Sequence, residues 1–269
     1  PESQYQAMRC PHQQGEFSFP VKYGYITVGV VESGCGMEGQ EVFCLHPHQT
    51  RFIVPKKMVT PLPEGLDPGL AVLAANLETA VNGAWDANPQ EGERISVIGA
   101  GVVGALTAWR LQQVTGTSVE LVDINPQRAE LANALGLSFS LADQASENRD
   151  LIVHASGSSA GLIRALELAA PDARIIELSW YGDAKVSLPL GEAFHSRRLT
   201  IQCSQVGHIP PRMRSEWTYS KRMALVLELL RSHPMLSCLI SGESTFDDLP
   251  QTMGRLAVSG SVLCHRVQY

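Results

Sequence analysis

Three glycines in the spacing Gly-x-Gly-x-x-Gly, namely Gly99, Gly101 and Gly104, form the motif in this sequence that is most suggestive of chemistry. The first permits a tight turn, the second lets a pyrophosphate approach the backbone, and the third lets a following helix pack closely. The N-terminus of that helix adds unpaired N–H groups and a partial positive charge. The motif therefore predicts that dinucleotide phosphates bind to the loop and the first helical residues: Gly99, Gly101, Val102, Val103 and Gly104.

An acidic residue stands where such a site needs one. Asp123 is the last residue of the predicted strand 118–123 and lies nineteen positions after Gly104. A carboxylate there binds the hydroxyls of an adenosine ribose and repels a 2′-phosphate, so it predicts NAD, with NADP less favoured. Ile124 and Arg128 follow as further candidates on the adenosine side, with Arg128 either stacking on adenine or lying in solvent. The alternative is an ordinary glycine-rich turn with Asp123 as a surface residue.

These motifs belong to an alternation of apolar strands and amphipathic helices that begins near residue 94. Such an alternation implies parallel strands joined by right-handed crossovers, which is an α/β fold with a doubly wound sheet. The predicted strands are Ile95–Ile98, Val119–Val122, Leu151–His154 and Ile175–Leu178, and the predicted helices are 102–114, 126–135 and 159–169.

Short loops follow two of these strands at their carboxyl ends. Ser156 and Gly157 come directly after the strand that ends at His154, and Trp180 comes after the strand 175–178. Ligands of open parallel sheets collect at the carboxyl edge. We therefore predict that Ser156 and Gly157 contact the cofactor and that Trp180 lies near its nicotinamide ring.

The two ends of the chain have a different pattern. Short β-rich runs at 25–32, 41–45 and 51–55 are punctuated by glycine and proline, which favours small antiparallel sheets. Residues 68–85 carry apolar positions at helical spacing, and the last stretch predicts helices at 221–232 and 246–259 and a strand at 261–267. We predict one domain formed by residues 1–75 and 206–269 and a second formed by residues 76–205.

Composition narrows the possible partners. The 269-residue chain is 44% hydrophobic and 18% charged, as is usual for a globular enzyme, and its net charge of −6 argues against nucleic acid or an acidic membrane surface. No apolar run approaches the length of a membrane-spanning helix. The six cysteines form no Cys-x-x-Cys pair, which favours reduced thiols and a cytoplasmic protein. We expect its partner to be a small-molecule substrate.

Several segments, taken in order, resemble the medium-chain dehydrogenase/reductase family of the zinc-type alcohol dehydrogenase group. The segments that carry the resemblance are 20–31, 39–42, 54–55, 61–63, 92–95, 246–249 and 259–260. The resemblance implies a GroES-like catalytic domain built from both chain ends, a Rossmann domain inserted between them, and a substrate cleft. It also implies hydride transfer between a nicotinamide and a carbonyl, alcohol or activated alkene, and a possible homodimer.

The departures from the family pattern concern zinc. Gly24 is followed by Tyr25 where the family has a histidine ligand, no cysteine stands near Ala75–Asn76, and the four-cysteine lobe is missing. Zinc needs three or four fixed Cys, His or carboxylate ligands, so we expect no bound zinc. The family's first ligand lies upstream of Pro1, so we expect the chain to start inside the catalytic domain.

Without zinc, another group must stabilise the substrate oxygen. The resemblance places Tyr25 in the cleft, where its phenol either donates a proton or fills the space of the metal. It also places His46 beside the substrate, where the imidazole either transfers a proton or is a hydrogen-bonded loop residue. We predict Tyr25 and His46 as catalytic residues of an oxidoreductase. The alternative function is that of a non-catalytic NAD-binding sensor or scaffold.

Overall fold

The computed structural model describes residues 22, 24–34, 36–115, 119–182 and 184–269. Within them the strands, in chain order, are β1 (Thr27–Val30), β2 (Glu41–Cys44), β3 (Val59–Pro61), β4 (Ile95–Ile98), β5 (Val119–Asp123), β6 (Ser138–Leu141), β7 (Arg149–His154), β8 (Ala169–Glu177), β9 (Thr200–Cys203), β10 (Ile240–Thr245) and β11 (Cys264–Gln268). The α-helices are α1 (Pro68–Ala71), α2 (Ala74–Ala87), α3 (Val102–Thr115), α4 (Arg128–Ala134), α5 (Ser159–Leu168), α6 (Tyr219–Ser232) and α7 (Leu249–Val258). Short 3₁₀ or π turns are Lys56–Met58, Leu190–Phe194, Pro211–Met213 and Pro234–Leu239.

The chain forms two compact units. The central unit is Asn76–Thr218, and the terminal unit combines the described residues up to Ala75 with Tyr219–Tyr269. The boundary between the central unit and the last segment of the terminal unit therefore falls after residue 218. The sequence predicts this boundary after residue 205. The reason is local packing: the Trp217 ring lies 4.8 Å from the Trp85 ring, and Arg212 donates to the Trp85 carbonyl, so this segment is held against α2.

In the central unit the strands form a parallel sheet in the order β6-β5-β4-β7-β8-β9. This order is the doubly wound arrangement, and its topological switch point lies between β4 and β7. Every residue of β4 is buried, and the sheet core continues through Leu121, Ile152 and Ile175, none of which is exposed. The predicted α/β Rossmann fold is confirmed.

In the terminal unit, β1, β2 and β3 form an antiparallel sheet, while β10 and β11 pair in parallel. The predicted strand at 51–55 is wrong, and the third strand is Val59–Pro61. Ile53 is fully exposed, whereas Val59–Pro61 pairs with the buried residues of β2, so burial favours the later segment. The predicted helical region 68–85 divides into α1, which Asp67 caps at its first turn, and α2.

Two further predictions concern the cysteines and a membrane-spanning helix. Among the described cysteines, Cys44, Cys203, Cys238 and Cys264 are free thiols, while Cys10 and Cys35 lie outside the described residues. None of the helices in the described part of the chain combines the length and the apolar character needed to cross a membrane.

Candidate functional site

The three glycines of the motif have the geometry that a phosphate-binding turn requires. Gly99 has φ +106°, and a Cβ there would lie 2.7 Å from the Ser156 backbone. A Cβ on Gly104 would lie 1.8 Å from the Gly99 carbonyl oxygen, whereas a Cβ on Gly101 would meet no atom within 4 Å. The turn is therefore packed tightly on two sides and open at Gly101, where a ligand can reach the backbone. Val102 and Val103, both half-buried, begin α3 from this turn.

Asp123 lies directly beside the glycine turn. One carboxylate oxygen accepts a hydrogen bond from Ala100 N at 2.6 Å, and the other accepts from Asn125 N at 2.8 Å. Because β5 is the neighbour of β4, the end of β5 and the turn after β4 reach the same edge of the sheet. The acidic side chain thus stands next to the place where a dinucleotide would cross the edge.

The other predicted cofactor residues follow strands at the same edge. Ile124, next to Asp123, is 84% exposed, and Arg128 begins α4. Gly157 follows β7 with φ +66° and donates to the Ser179 hydroxyl at 3.0 Å. Trp180 follows β8 and is 56% exposed. Since β4, β5, β7 and β8 are neighbours in one parallel sheet, these loops share its carboxyl edge, and Ser156 and the segment that carries Asp123 pack directly against the turn.

A buried polar cluster that was missed at the sequence level lies under this edge. His154 is completely buried, and its Nδ1 lies 2.8 and 2.9 Å from the two carboxylate oxygens of Glu177. Its Nε2 lies 2.6 Å from the Ser156 hydroxyl. Glu177 also accepts from Ser179 N at 2.7 Å and from the Tyr181 hydroxyl at 3.1 Å.

The hydrogen-bond roles in the cluster follow from these contacts. A carboxylate oxygen accepts, so Nδ1 of His154 donates to Glu177, and Nε2 shares its hydrogen bond with the Ser156 hydroxyl. Burial, followed by the charge of Glu177, raises the pKa of Tyr181 above its ordinary value, so this phenol stays protonated as a donor. The sequence signal was the pair of polar residues, His154 and Glu177, that end two adjacent strands and stand opposite each other in register.

The two predicted catalytic residues belong to the terminal unit. Tyr25 precedes β1 and His46 follows β2, at the same end of that antiparallel pair, where Thr27 Oγ1 donates to the His46 carbonyl at 2.9 Å. Desolvation raises the pKa of Tyr25 above its ordinary value, although the side chain is 59% exposed. His46 stacks on Phe52 at 3.6 Å between ring centroids, and its Nδ1 donates to the Pro47 carbonyl at 2.8 Å.

The donor groups that a zinc ion needs do not converge in the described residues. Among them, no three His, Cys, Asp or Glu side chains form a group that could hold a metal. His48, the neighbour of His46, instead places Nδ1 2.8 Å from the Tyr269 hydroxyl. A Cβ on Gly24 would lie 2.6 Å from the His48 ring, so this imidazole packs closely against the backbone.

Comparisons at the sequence level match part of the chain. The model of the family described as ketopantoate reductase PanE/ApbA matches residues 95–172, from β4 into β8. L-threonine 3-dehydrogenase of Rhizobium johnstonii is 32% identical over 120 residues, which are 44% of this chain and 34% of that protein. L-threonine 3-dehydrogenase of Bacillus velezensis is 26% identical over 161 residues, 55% of this chain and 46% of that protein. The chain therefore spans about a third to a half of the length of these curated relatives.

Comparisons of the fold extend to most of the chain. Galactitol-1-phosphate dehydrogenase from Escherichia coli has a TM-score of 0.74 at 17% identity, covering 90% of this chain and 83% of its own. A short chain alcohol dehydrogenase from E. coli CFT073, solved with NADH, has a TM-score of 0.70 at 18% identity, covering 88% and 80%. At these identities the likeness shows the fold, which is the fold of dehydrogenases with a Rossmann domain.

Proposed function

We propose that this protein is an NAD(P)-dependent oxidoreductase that transfers a hydride between the nicotinamide and a carbonyl or alcohol group of a small molecule. The observation that carries the proposal is the glycine turn at the switch point of the sheet, open at Gly101 and flanked by Asp123. The likeness of 120 residues of the chain to L-threonine 3-dehydrogenase supports the same chemistry. When bound, the cofactor supplies the hydride, and the chain's own residues bind, orient and exclude water.

We further propose that NAD is preferred over NADP. The Asp123 carboxylate accepts the Ala100 N–H at 2.6 Å, so its charge is held at the edge where an adenosine ribose would lie. A carboxylate accepts hydrogen bonds from the 2′- and 3′-hydroxyls, and it repels a phosphate at the 2′ position. The preference is therefore a property of one side chain.

We assign the stabilisation of the substrate oxygen to protein groups and not to zinc. The donor sets of the described residues do not fit a tetrahedral zinc site. Tyr25 and His46 stand at the same end of the β1–β2 pair, and the desolvated phenol of Tyr25 remains protonated at neutral pH. We assign to them the hydrogen bond that stabilises negative charge on the substrate oxygen.

Calorimetric titration with NADH and NADPH tests the cofactor assignment. We expect NADH to bind at least about tenfold more tightly, which is about 1.4 kcal/mol, and Asp123→Ser to narrow this gap. Asp143→Ser removes an equal charge at an exposed position and is the matched control. Equal or tighter binding of NADPH by the unmodified protein contradicts the role of Asp123.

Turnover tests the reaction itself. NADH formation is followed with L-threonine and a panel of polyols and simple alcohols, and NADH consumption with the matching carbonyl compounds. Turnover of any of them that Asp123→Ser impairs through cofactor affinity supports the proposal. Tight NADH binding without turnover of any member would favour the non-catalytic alternative.

A further inference from the structure

The buried cluster at the carboxyl edge contains a serine, a histidine and a carboxylate in one continuous chain of hydrogen bonds. Ser156 Oγ lies 2.6 Å from His154 Nε2, and His154 Nδ1 lies 2.8 Å from a Glu177 oxygen. Dinucleotide binding needs none of these contacts, because its phosphates meet backbone groups of the glycine turn. A hydroxyl bonded to an imidazole whose other nitrogen is held by a carboxylate is the arrangement that activates a serine nucleophile.

The residue that carries this hydroxyl lies at the surface. β7 ends at His154, Ser156 stands in the turn, and α5 begins at Ser159, so the serine occupies a sharp passage from strand to helix. Ser156 is exposed, whereas His154 has no exposed surface and Glu177 is only 9% exposed. Ser156 is therefore the outermost residue of the three, and the two residues that would activate it lie beneath it.

The first turn of α5 lies directly against the Ser156 hydroxyl. A Cβ on Gly161 would lie 2.3 Å from Ser156 Oγ and 2.7 Å from His154 Nε2. Only a residue without a side chain fits there, because Ser156 Oγ and His154 Nε2 occupy the place where a Cβ would stand. The amides of a helix's first turn have no intrahelical acceptors and favour negative charge, such as that of an oxyanion formed at this serine.

We propose that Ser156 is a catalytic nucleophile of a second, acyl-transfer activity, with His154 as its general base and Glu177 as the group that orients the imidazole. In the first step Ser156 Oγ bonds to the carbonyl carbon of an ester, and its proton passes to His154 Nε2. The bond from carbon to the leaving oxygen then breaks, and that oxygen takes the proton from Nε2. Water next attacks the acyl carbon, gives a proton to Nε2, and releases a carboxylic acid as Ser156 Oγ regains its proton.

The burial of His154 defines the substrate class. Because the imidazole has no exposed surface and Gly161 packs against Nε2, a leaving group receives little help from this nitrogen. Leaving groups that are stable as anions need the least help from a proton donor. The substrates are therefore small activated esters, such as phenyl esters, and not amides or alkyl esters.

Labelling of the cofactor-free full chain by a fluorophosphonate, with peptide mapping by mass spectrometry, tests the nucleophile. We expect one labelled residue, Ser156, and hydrolysis of p-nitrophenyl acetate at a rate that Ser156→Ala abolishes. His154→Gln removes the base and should lower both rates on the order of 100-fold. Gly161→Ala should have a similar effect, because its methyl group displaces the Ser156 hydroxyl from Nε2.

Ser158→Ala is the matched control. Its side chain makes no capping bond to α5, and its backbone N–H, which donates to Ser156 Oγ at 3.2 Å, is retained. This variant should label and hydrolyse like the unmodified protein. Glu177→Gln preserves the shape of the carboxylate and keeps the test decisive where His154→Gln fails to fold, since it too should slow labelling, by at least about tenfold.

Three results overturn the proposal. They are the absence of label on Ser156, label on another residue as the source of hydrolysis, and labelling of Ser156 at an unchanged rate in folded His154→Gln or Glu177→Gln protein. Failure of the dehydrogenase proposal gives a different pattern, because NADH binding and turnover are measured separately from the labelling of cofactor-free protein. If both proposals hold, saturating NADH should slow the labelling, since Ser156 packs against Gly99 of the turn.

Discussion

Alanine at the second and at the third glycine of the turn should have opposite consequences, although the two changes add the same methyl group. At Gly104 the new Cβ would lie 1.8 Å from the Gly99 carbonyl oxygen, an atom of the backbone that cannot rotate away. At Gly101 it would meet no atom within 4 Å. Gly104→Ala should therefore lower the stability of the fold, and Gly101→Ala should weaken only the binding of the ligand.

The expected magnitudes follow from these contacts. Overpacking typically costs about 1–3 kcal/mol of stability, and a clash with the backbone puts the cost of Gly104→Ala at about 3 kcal/mol. Because Gly104 lies within α3, alanine returns about 1 kcal/mol of helix propensity, so the net destabilisation is about 2 kcal/mol. Gly101 does not have a positive φ, so alanine there should be neutral or should stabilise by about 0.5 kcal/mol through the unfolded chain.

Urea unfolding followed by tryptophan fluorescence measures these values in the right part of the molecule. The four tryptophans, Trp85, Trp109, Trp180 and Trp217, all lie in the central unit, so the signal reports the unfolding of that unit. Calorimetry should show NADH affinity reduced at least about tenfold in Gly101→Ala, about 1.4 kcal/mol. The reasoning is refuted if Gly104→Ala is as stable as the unmodified protein, or if Gly101→Ala binds NADH with unchanged affinity.

Three further predictions concern the proton donors, zinc and acid stability. Tyr25→Phe and His46→Ala should each lower turnover on the order of 100-fold and leave NADH affinity unchanged, and wild-type turnover in both would show that they only pack. Elemental analysis of protein purified without added metal should find less than one zinc per chain, whereas one zinc per chain would contradict the donor argument. The hydrogen bond from Arg94 lowers the pKa of Asp150 from 3.8 to about 2, so its contribution to stability is present above pH 4 and lost as the pH falls toward 2. Acid unfolding of Asp150→Asn, followed by circular dichroism, should lack this component, and a curve parallel to that of the unmodified protein would contradict it.

Strands that are buried on both faces were predictable from the sequence. Ile95–Ile98 was predicted with the bounds found, because a parallel strand between two helix layers is buried on both faces and reads as a nearly continuous apolar run. Ser138–Leu141 and Thr200–Cys203 were missed, since these edge strands contain serine, threonine and glutamine and have no continuous apolar run. The predicted strand at 51–55 failed for the opposite reason: its apolar residues pair with no neighbouring strand, and Ile53 is in solvent.

The candidate sites also have a part that was predictable from the sequence and a part that only the tertiary structure determines. The glycine spacing and the distance to Asp123 are local properties of a strand, a turn and a helix, and the sequence alone was enough to define them, because the positive φ of Gly99 and the contact of Gly104 with the Gly99 carbonyl arise within the turn itself. The cluster of His154, Ser156 and Glu177 depends on which strands become neighbours. Only the sheet order places Glu177 opposite His154 across 23 residues of chain, and only the packing of α5 places Gly161 over the serine. Pairing between distant segments is decided by the burial of the whole sheet, and it leaves no periodic trace in either segment.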